Sequence, residues 1–341
     1  MTEKERLLRI LEQKKTDRPA CICPGGMMNM VTSALMDACG VSLPQAHCDA
    51  RQMAALAKAV YDFGCFENVG VPFCMTVEAE AMGAQIDLGS RIYEPHVVGC
   101  VIQSVDEADR LPVMDVTKGR AGVVLQAISL LKEQCPDVPV IGNLSGPVST
   151  AASLLEPTTF YRELRKKNSQ AHAYMDFITE QLMQFGLAQI AAGADVIAIS
   201  DPSGTGEILG PKYFAEFAVP CLNRLVERFR QEGVGTIVHI CGQMSPVYRQ
   251  ASCISSHALS FDAIVPMREA RENLPGRVLM GNISTYGLEF GDPQKISVMT
   301  ASCLKSGVDI LAPACGLGMK TPLENEQAML AHLKKVCQQE S

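Results

Sequence analysis

Three residues of this sequence could together bind a metal ion. His239 and Cys241 are separated by one residue in the apolar segment VHIC, and Cys315 follows much later, near the C-terminal end of the chain. Residues i and i+2 of a strand project to the same face, so the imidazole and the first thiol would converge. One histidine and two cysteines, with a fourth position left for water or substrate, are typical of a catalytic zinc site. Sulfur ligands disfavour Mg²⁺ and Ca²⁺.

The same residues also have a purely structural interpretation. The chain holds fourteen cysteines, and free cysteine is among the residue types most often buried. On pattern alone, His239 could be a hydrogen-bonded histidine at a strand end, and Cys315 a small apolar residue under a glycine-containing turn. The pattern therefore leaves a metal site and a structural cluster both open.

Eight short apolar runs would position these residues. They read as continuously apolar, as strands buried on both faces do, and segments with helical periodicity separate most of them. The runs cover residues 19–23, 68–73, 138–142, 195–200, 236–240, 258–262, 277–281 and 308–312. The helical segments include 49–63, 118–134, 168–192, 211–231, 292–305 and 322–337. Eight strand-then-helix units predict a (β/α)₈ TIM barrel, with its chemistry at the C-terminal ends of the strands. An open doubly wound sheet competes, but its Gly-rich phosphate fingerprint is absent after the first run.

The 341 residues exceed the length of a minimal barrel, for which about 250 are typical. Part of the surplus is an N-terminal helix, which Thr2 and Glu5 open as a capping box. Most of the rest lies in residues 74–117, whose polar, Gly-containing sequence predicts an inserted hairpin or lid after the second strand. No repeat, low-complexity tract or linker divides the chain. We therefore expect a single barrel domain over residues 1–341.

The composition excludes several classes of function. Thirty basic against thirty-seven acidic side chains give a net charge of −7, which argues against binding to nucleic acid or to an anionic membrane. No run approaches the roughly 20 apolar residues that cross a bilayer. The sequence begins MTEKERLL without the apolar core of a signal peptide, and its cysteines are scattered along a long chain. We therefore expect reduced thiols in a cytoplasmic protein.

Several motifs resemble those of one enzyme family. VHICG at 238–242, PACG at 313–316 and TPLEN at 321–325 resemble the cobalamin-dependent thiol methyltransferases, which belong to the uroporphyrinogen decarboxylase-like superfamily. The similarity is strongest to the methylcobamide:coenzyme M methyltransferases, whose signature is His-x-Cys followed at a distance by Cys. Nearly the whole chain takes part in order, because further agreement is found at 45–50, 71–83, 145–147, 193–202 and 281–284.

The resemblance implies a fold, a cofactor and a reaction. The fold is a (β/α)₈ barrel of the uroporphyrinogen decarboxylase type, with Zn²⁺ held by His239, Cys241 and Cys315. The reaction is methyl transfer from methylcobalamin, carried on a corrinoid protein, to a thiol that becomes the fourth zinc ligand. Zinc would keep that thiol as the nucleophilic thiolate, and cobalt would leave as cobalt(I).

Other residues are candidates for the same site. Asp201 and Glu80 fall where the family places polar residues near the cavity, and we predict catalytic roles for them. Asn143 and Asn282 lie at the ends of predicted strands, and Met27 belongs to the methionine-rich segment after the first strand. We predict that these three contact the corrinoid.

The acceptor and the reaction class have alternatives. Coenzyme M is the expected acceptor and homocysteine or another thiol the second choice, with Lys320 and Arg91 as candidates for binding the anionic head group. A porphyrinogen decarboxylase is disfavoured, because the first strand runs into CICPGGMM without the arginines that grip carboxylates in those enzymes. A non-catalytic corrinoid or zinc carrier is the third possibility. The particular corrinoid protein and the oligomeric state stay open.

Overall fold

The computed structural model describes residues 1–339, which contain ten strands, eight of them in one parallel sheet surrounded by helices. In chain order the strands are β1 Ala20–Cys21, β2 Val69–Val71, β3 Ile86–Asp87, β4 His96–Val97, β5 Val140–Ser145, β6 Val196–Ser200, β7 Gly235–Ile240, β8 Ala258–Phe261, β9 Val278–Ile283 and β10 Ile310–Pro313. The large sheet has the order β1-β10-β9-β8-β7-β6-β5-β2. Each of the eight predicted apolar runs overlaps one of its strands, and the predicted TIM-barrel class is confirmed. Residues 340 and 341 of the predicted domain lie outside the described residues.

The strands are buried along almost their whole length. Every residue of β2, β5, β6, β7, β8 and β10 is buried. Helices cover the outer face of the sheet, and side chains fill its interior. Such strands carry apolar residues at successive positions, because neither face meets water. This burial explains why the sequence showed continuous apolar runs in place of alternation.

A buried asparagine joins the two edge strands, β1 and β2. The backbone N–H of Glu67 donates to the carbonyl of Cys21 at 2.8 Å. The Asn68 side chain then continues the connection, because its Oδ1 accepts from the N–H of Cys23 at 2.9 Å and its Nδ2 donates to the Cys23 carbonyl at 2.8 Å. The amide group thus replaces two ladder hydrogen bonds of a strand pair. This side chain and the Glu67–Cys21 backbone hydrogen bond together join the two edges of the sheet.

The helices alternate with the strands. They are α1 Glu3–Leu11, α2 Ser33–Cys39, α3 Ala50–Asp62, α4 Val77–Ala81, α5 Gly119–Gln134, α6 Pro147–Leu154, α7 Pro157–Lys166, α8 Asn168–Ala192, α9 Gly206–Tyr213, α10 Val219–Gln231, α11 Tyr248–Ala251, α12 Met267–Asn273, α13 Thr285–Phe290, α14 Pro293–Lys305 and α15 Leu323–Gln339. Short 3₁₀ turns occupy Gln45–His47 and Val105–Arg110. The predicted cap of α1 is present, since Thr2 Oγ1 accepts from the N–H of Glu5 at 3.1 Å. No helix within residues 1–339 is long and apolar enough to span a membrane.

The helix predicted over residues 211–231 differs from expectation. It begins earlier, breaks at Gly210, passes through a π-helical turn at Phe214–Ala218, and only then continues as α10. Prolines explain the interruptions. Pro211 and Pro220 lack the backbone N–H that a regular helix uses, so hydrogen bonds of the preceding turn are lost or shifted.

The insertion after β2 contains a short antiparallel hairpin formed by β3 and β4. Its loop is held to α2 by Arg91, which donates to the Ser33 carbonyl at 2.9 Å and pairs with the Asp37 carboxylate. The hairpin therefore lies on the side of the barrel where β1 ends. This is the side on which the candidate metal ligands are found.

We predict that Asn68→Ala destabilises the protein by about 2–6 kcal/mol, because it leaves two buried polar groups of Cys23 unpaired at about 1–3 kcal/mol each. Urea denaturation would measure the loss. Asn223→Ala is the matched control, since Asn223 also bonds a carbonyl (Cys253) and an N–H (Ser255), but near the surface. Equal effects of the two substitutions would contradict the importance of the joint between β1 and β2.

Candidate metal centre

The structure brings the three predicted metal ligands together at the mouth of the barrel. His239 lies in β7, Cys241 directly follows that strand, and Cys315 stands two residues after β10. One ligand atom from each, the imidazole nitrogen and the two sulfurs, lies within 4.8 Å of the others. The His239 Nε2 to Cys241 Sγ distance is 3.2 Å. His239 is buried, and both cysteines are partly accessible.

A serine on the neighbouring strand orients the histidine. Ser260 of β8 is the register partner of His239, and its Oγ lies 2.9 Å from His239 Nδ1. The same hydroxyl donates toward the sulfur of Met28 at 3.9 Å. With its proton directed there, the hydroxyl oxygen would accept from Nδ1–H, and the Nε2 lone pair would then be available to a metal ion. A fixed tautomer of this kind is what a metal-binding histidine requires.

The two thiols are in hydrogen-bond contact, and their pKa values shift in opposite directions. A hydrogen bond from Cys241 lowers the pKa of Cys315, and the same contact raises the pKa of Cys241, since the second thiol would ionise beside a thiolate. Burial and the carboxylates of Asp262 and Asp201 raise the pKa of Cys241 further. A cation between the sulfurs would relieve this conflict, because a bound metal displaces the thiol protons.

The donor set fits zinc. Tetrahedral zinc with bonds of about 2.0–2.3 Å places its ligand atoms roughly 3.3–3.8 Å apart, so the observed cluster needs only small shifts. The donors are one neutral imidazole and two thiols, which is the combination that zinc prefers over harder cations. Three protein ligands would leave a fourth position for water or a substrate. Zinc binding by these residues stays a prediction.

The loop after β1 supports the loop that carries Cys315. The backbone N–H of Leu317 donates to the Asn29 carbonyl at 2.8 Å. A Cβ on Gly316 would lie 2.4 Å from the carbonyl oxygen of Met27, so the two backbones touch and only glycine fits. Met27, predicted to contact the corrinoid, therefore lies directly against the residue that follows Cys315.

Asn143 also shapes the loop after β1. Its Nδ2 donates to the carbonyls of Pro24 and Val71 at 2.8 and 3.0 Å. Gly25 and Gly26 have φ angles of +101° and +61°, and a Cβ on either would come within 3 Å of the Asn143 side chain. Asn143 Oδ1 is buried and has no hydrogen-bond partner within residues 1–339. This atom remains available as an acceptor, but the other contacts are structural.

Asn282 has contacts of the same structural kind. Its Nδ2 donates to the carbonyls of Asp262 and Val265 at 2.9 and 2.7 Å, which fixes the loop after β8. The side chain is partly accessible. The corrinoid contacts predicted for Asn143 and Asn282 stay predictions.

Asp201 is buried beneath the first turn of α6. One carboxylate oxygen accepts from the N–H and the hydroxyl of Ser149 at 2.8 and 2.6 Å, and the other from the N–H of Val148 at 3.2 Å. Burial raises the pKa of Asp201, and these hydrogen bonds oppose that shift. Both oxygens are engaged, so the contacts favour a positioning role over proton transfer.

Glu80 and Glu78 face different surroundings. Glu80 pairs with the buried guanidinium of Arg120, with Oε2 at 2.6 Å from Nε. Glu78 is instead fully buried at the end of β5, where it accepts from the N–H of Ser145 at 2.7 Å and from its hydroxyl at 3.1 Å. The sequence showed two glutamates in VEAEA, and nothing in that pattern indicated which one faces the barrel. Glu78, and likewise Ser260, were not predicted.

The candidate cations for an acceptor head group have different environments. Arg91 forms an ion pair with Asp37, whereas Lys320 is exposed five positions after Cys315.

Glu94, in the hairpin loop, lies near Cys315, and a negative charge on Cys315 disfavours ionisation of the Glu94 carboxyl group. Part of this residue reaches solvent, but its carboxyl group lies among protein atoms, and this desolvation together with the Cys315 charge raises the pKa of Glu94.

The fold and the residues at its mouth agree with one protein family. The family model described as "Uroporphyrinogen decarboxylase (URO-D)" matches residues 2–336, and the chain belongs to that family. A solved structure described as a methyltransferase from Methanosarcina mazei superposes with a TM-score of 0.92 at 31% identity, covering 98% of this chain and 99% of that one.

Characterised relatives with corrinoid-linked names are similar over the full length. The methylcobamide:CoM methyltransferase MtaA of Methanosarcina barkeri is 34% identical over 97% of both chains. The methylcobamide:CoM methyltransferase MtbA of Methanosarcina acetivorans is 31% identical over 96% of both. A uroporphyrinogen decarboxylase of Myxococcus xanthus is 30% identical but covers 62% of this chain. The resemblance inferred from the motifs is confirmed, and with it the expectation of an enzyme of the methyltransferase class.

We predict about one Zn²⁺ per chain in protein purified without chelator. Cys241→Ser and Cys315→Ser should each lower the zinc content to well under half, because two ligands hold the ion poorly. Elemental analysis gives the content. Substitution with Co²⁺ adds a spectroscopic readout, since thiolate-to-cobalt absorption should weaken in each variant. Cys253→Ser, which changes an exposed free cysteine, is the control. Full zinc content in Cys315→Ser would refute the three-ligand site.

Proposed function

We propose that the protein is a zinc-dependent methyltransferase that moves a methyl group from a methylated corrinoid protein to a small thiol, with coenzyme M as acceptor. One observation carries the proposal. The Nε2 of His239 and the sulfurs of Cys241 and Cys315 converge within 4.8 Å at the mouth of a barrel whose relatives are named methylcobamide:CoM methyltransferases. We also propose a cytoplasmic location, because the cysteines are scattered along a long chain and do not follow the spacing of a small disulfide framework.

The residues of the chain have distinct parts in this reaction. When bound, Zn²⁺ supplies a Lewis-acidic position at which a thiol ionises to the nucleophilic thiolate. His239, Cys241 and Cys315 would hold the ion, and the two thiolates keep it from withdrawing too much charge from the acceptor sulfur. Ser260 fixes the tautomer of His239, and the contact of Gly316 with the loop after β1 fixes the position of Cys315.

The proposed reaction does not require a side chain of this site to act as a general acid or base. Asp201, at the end of β6, has both oxygens engaged by α6, and Glu80 is held by Arg120. We therefore assign both residues to positioning and expect no acid–base pair. A thiol that binds as thiolate releases its proton on binding, so the methyl transfer itself needs none.

The charges at the mouth argue against a porphyrinogen substrate. Asp262, Glu207 and Glu94 lie at or near the loops that carry the ligands, and the segment after β1 has no arginine. Arg120, which lies near the end of β2, is buried and already bonded to Glu80, Thr76 and Cys74. The carboxylates of a porphyrinogen would find few free cations and several like charges there.

The mouth of the barrel is surrounded by exposed apolar side chains. Within residues 1–339, eleven large hydrophobic side chains are exposed, and eight of them lie in the loops and short helices that follow strand C-terminal ends: Ile92, Tyr93, Val98, Val113, Ile208, Ile264, Tyr286 and Phe290. Tyr286 and Phe290 form a pair with ring centroids 4.6 Å apart. A partner that carries the corrinoid must cover this face to bring the methyl group near Cys315. We propose that these residues, the apolar rim, bind that partner.

The activity can be tested with free methylcobalamin in place of the corrinoid protein. Under anaerobic conditions, the enzyme and coenzyme M should demethylate it, and loss of the methyl–cobalt absorbance gives the rate. Homocysteine should react more slowly. Cys315→Ser should fall to the uncatalysed rate, while Cys253→Ser should keep the wild-type rate.

Two results would refute this function. Demethylation at the uncatalysed rate with both thiols, and also with methylated corrinoid proteins, would favour a carrier without catalysis. Decarboxylation of a porphyrinogen would restore the lyase alternative.

The apolar rim leads to a separate prediction. Tyr286→Ser combined with Phe290→Ser should raise KM for a methylated corrinoid protein about tenfold or more, because central aromatic residues dominate such interfaces. The rate with free methylcobalamin should not change, since the pair lies outside the metal cluster. Val298→Ser is the control: Val298 is 65% exposed, like Phe290, but lies on the outer helix α14. An unchanged KM in the double variant would exclude this part of the rim from the interface.

A further inference from the structure

A second cavity lies at the opposite end of the barrel from the metal cluster. Its volume is about 670 Å³, within the range of small-molecule sites. Pro19, Arg277 and Asp309, which line it, directly precede β1, β9 and β10, three strands that are neighbours in the sheet. The cavity is therefore formed where these strands begin. The segment after α1, residues 13–16, closes its side.

The lining of this cavity is strongly basic. It includes five cations, Lys14, Lys15, Arg18, Arg271 and Arg277, and one acid, Asp309. This balance is unusual for a chain whose net charge is −7. Such a local excess of one sign in a concave surface concentrates counter-ions of the other sign.

Some of these cations are neutralised by the protein and others are not. Arg271 pairs with Asp309 at 2.6 Å, Lys14 pairs with Glu12 at 2.6 Å, and Arg18 pairs with the buried Glu67. Within residues 1–339, Lys15 and Arg277 have no carboxylate partner. The cavity thus keeps two uncompensated positive charges.

Arg277 is the more informative of the two. Its Nη2 donates to the carbonyls of Ile254 and Ser256, each at 2.7 Å, whereas its Nε is buried without a hydrogen-bond partner among the described residues. Burial and the nearby charge of Arg230 lower the pKa of Arg277. A guanidinium held among neutral groups beside a second guanidinium is destabilised, and an anion would compensate it.

The walls of the cavity are fixed in advance. Arg271 donates to the carbonyls of Arg277 and Gly307, each at 2.6 Å, and so ties the beginnings of β9 and β10 together. Asp309 accepts in addition from the N–H of Leu279 at 2.8 Å. The cations on these segments therefore require little ordering when a ligand binds, which favours affinity.

We propose that this basal cavity binds a small multivalent anion of the phosphate class. Guanidinium groups match the geometry of phosphate oxygens, and the volume exceeds what a single inorganic ion would fill. The lining offers uncompensated cations from two segments, Lys15 on one side and Arg277 on the other. A ligand with two or more phosphate groups would contact both sides at once. This proposal is independent of the methyl-transfer reaction.

Inorganic pyrophosphate is the probe, at constant ionic strength. Because it binds the folded state, it should raise the thermal midpoint saturably and give a single-site isotherm by calorimetry. Lys15→Glu should weaken binding roughly tenfold or more, because it replaces a charged donor with a like charge. Lys295→Glu, an exposed lysine on α14, is the matched control and should bind like the wild type.

A second variant and the Lys295→Glu control distinguish loss of binding from misfolding and from removal of the metal. Arg277→Gln should weaken binding as Lys15→Glu does, and calorimetry on its folded fraction measures this even if the variant is less stable. Removal of zinc by pyrophosphate would act on all variants equally and would not separate Lys15→Glu from Lys295→Glu. Equal stabilisation by sulfate at the same ionic strength, an adventitious ion only, would overturn the proposal, as would identical affinity in the Lys15→Glu and Lys295→Glu variants.

Discussion

Closure of the sheet between β1 and β2 is the constraint on which the site depends. Asn68 bonds both backbone groups of Cys23 and so joins β1 to β2, the two edges of the eight-stranded sheet. Closure curves the sheet, and β7 and β10 can then face the same mouth although β8 and β9 lie between them. Cys315 needs this curvature to approach Cys241. The loop after β1, fixed by the same joint, provides the surface on which Gly316 packs.

The sequence predicted the parts of this structure that local physics determines. Continuous apolar runs indicated strands buried on both faces, Thr2 indicated the start of α1, and the alternation of side chains along a strand placed His239 beside Cys241. Each of these inferences needs only neighbouring residues. The interruption of the helix before α10 also depends on neighbouring residues. Pro211 and Pro220 could have indicated it from the sequence.

Contacts between distant segments could not be predicted in the same way. Asn68 forms hydrogen bonds with a residue 45 positions earlier in the chain, and Ser260 forms one with His239 on the neighbouring strand. An asparagine before a strand is more often a turn residue. A serine within an apolar strand gives no indication of the residue to which it forms a hydrogen bond. Glu78 and Glu80 differ only in which side of a five-residue helix they occupy, so the choice between them required the position of β5. The charges of the basal cavity likewise come together only when β1, β9 and β10 are neighbours.

The electrostatics around the thiols favour a cation over an anionic substrate at the mouth. The contact with Cys315 raises the pKa of Cys241 because two adjacent thiolates repel, and the carboxylates of Asp262 and Asp201 add to that repulsion. A divalent ion attracts both thiolates and both carboxylates and so offsets these repulsions, which means that the nearby acids favour a bound cation. The same acids would repel a substrate with several carboxylates. An acceptor with a single negative head group and a thiol that ionises only on binding meets a smaller penalty, which supports a small thiol as the second substrate.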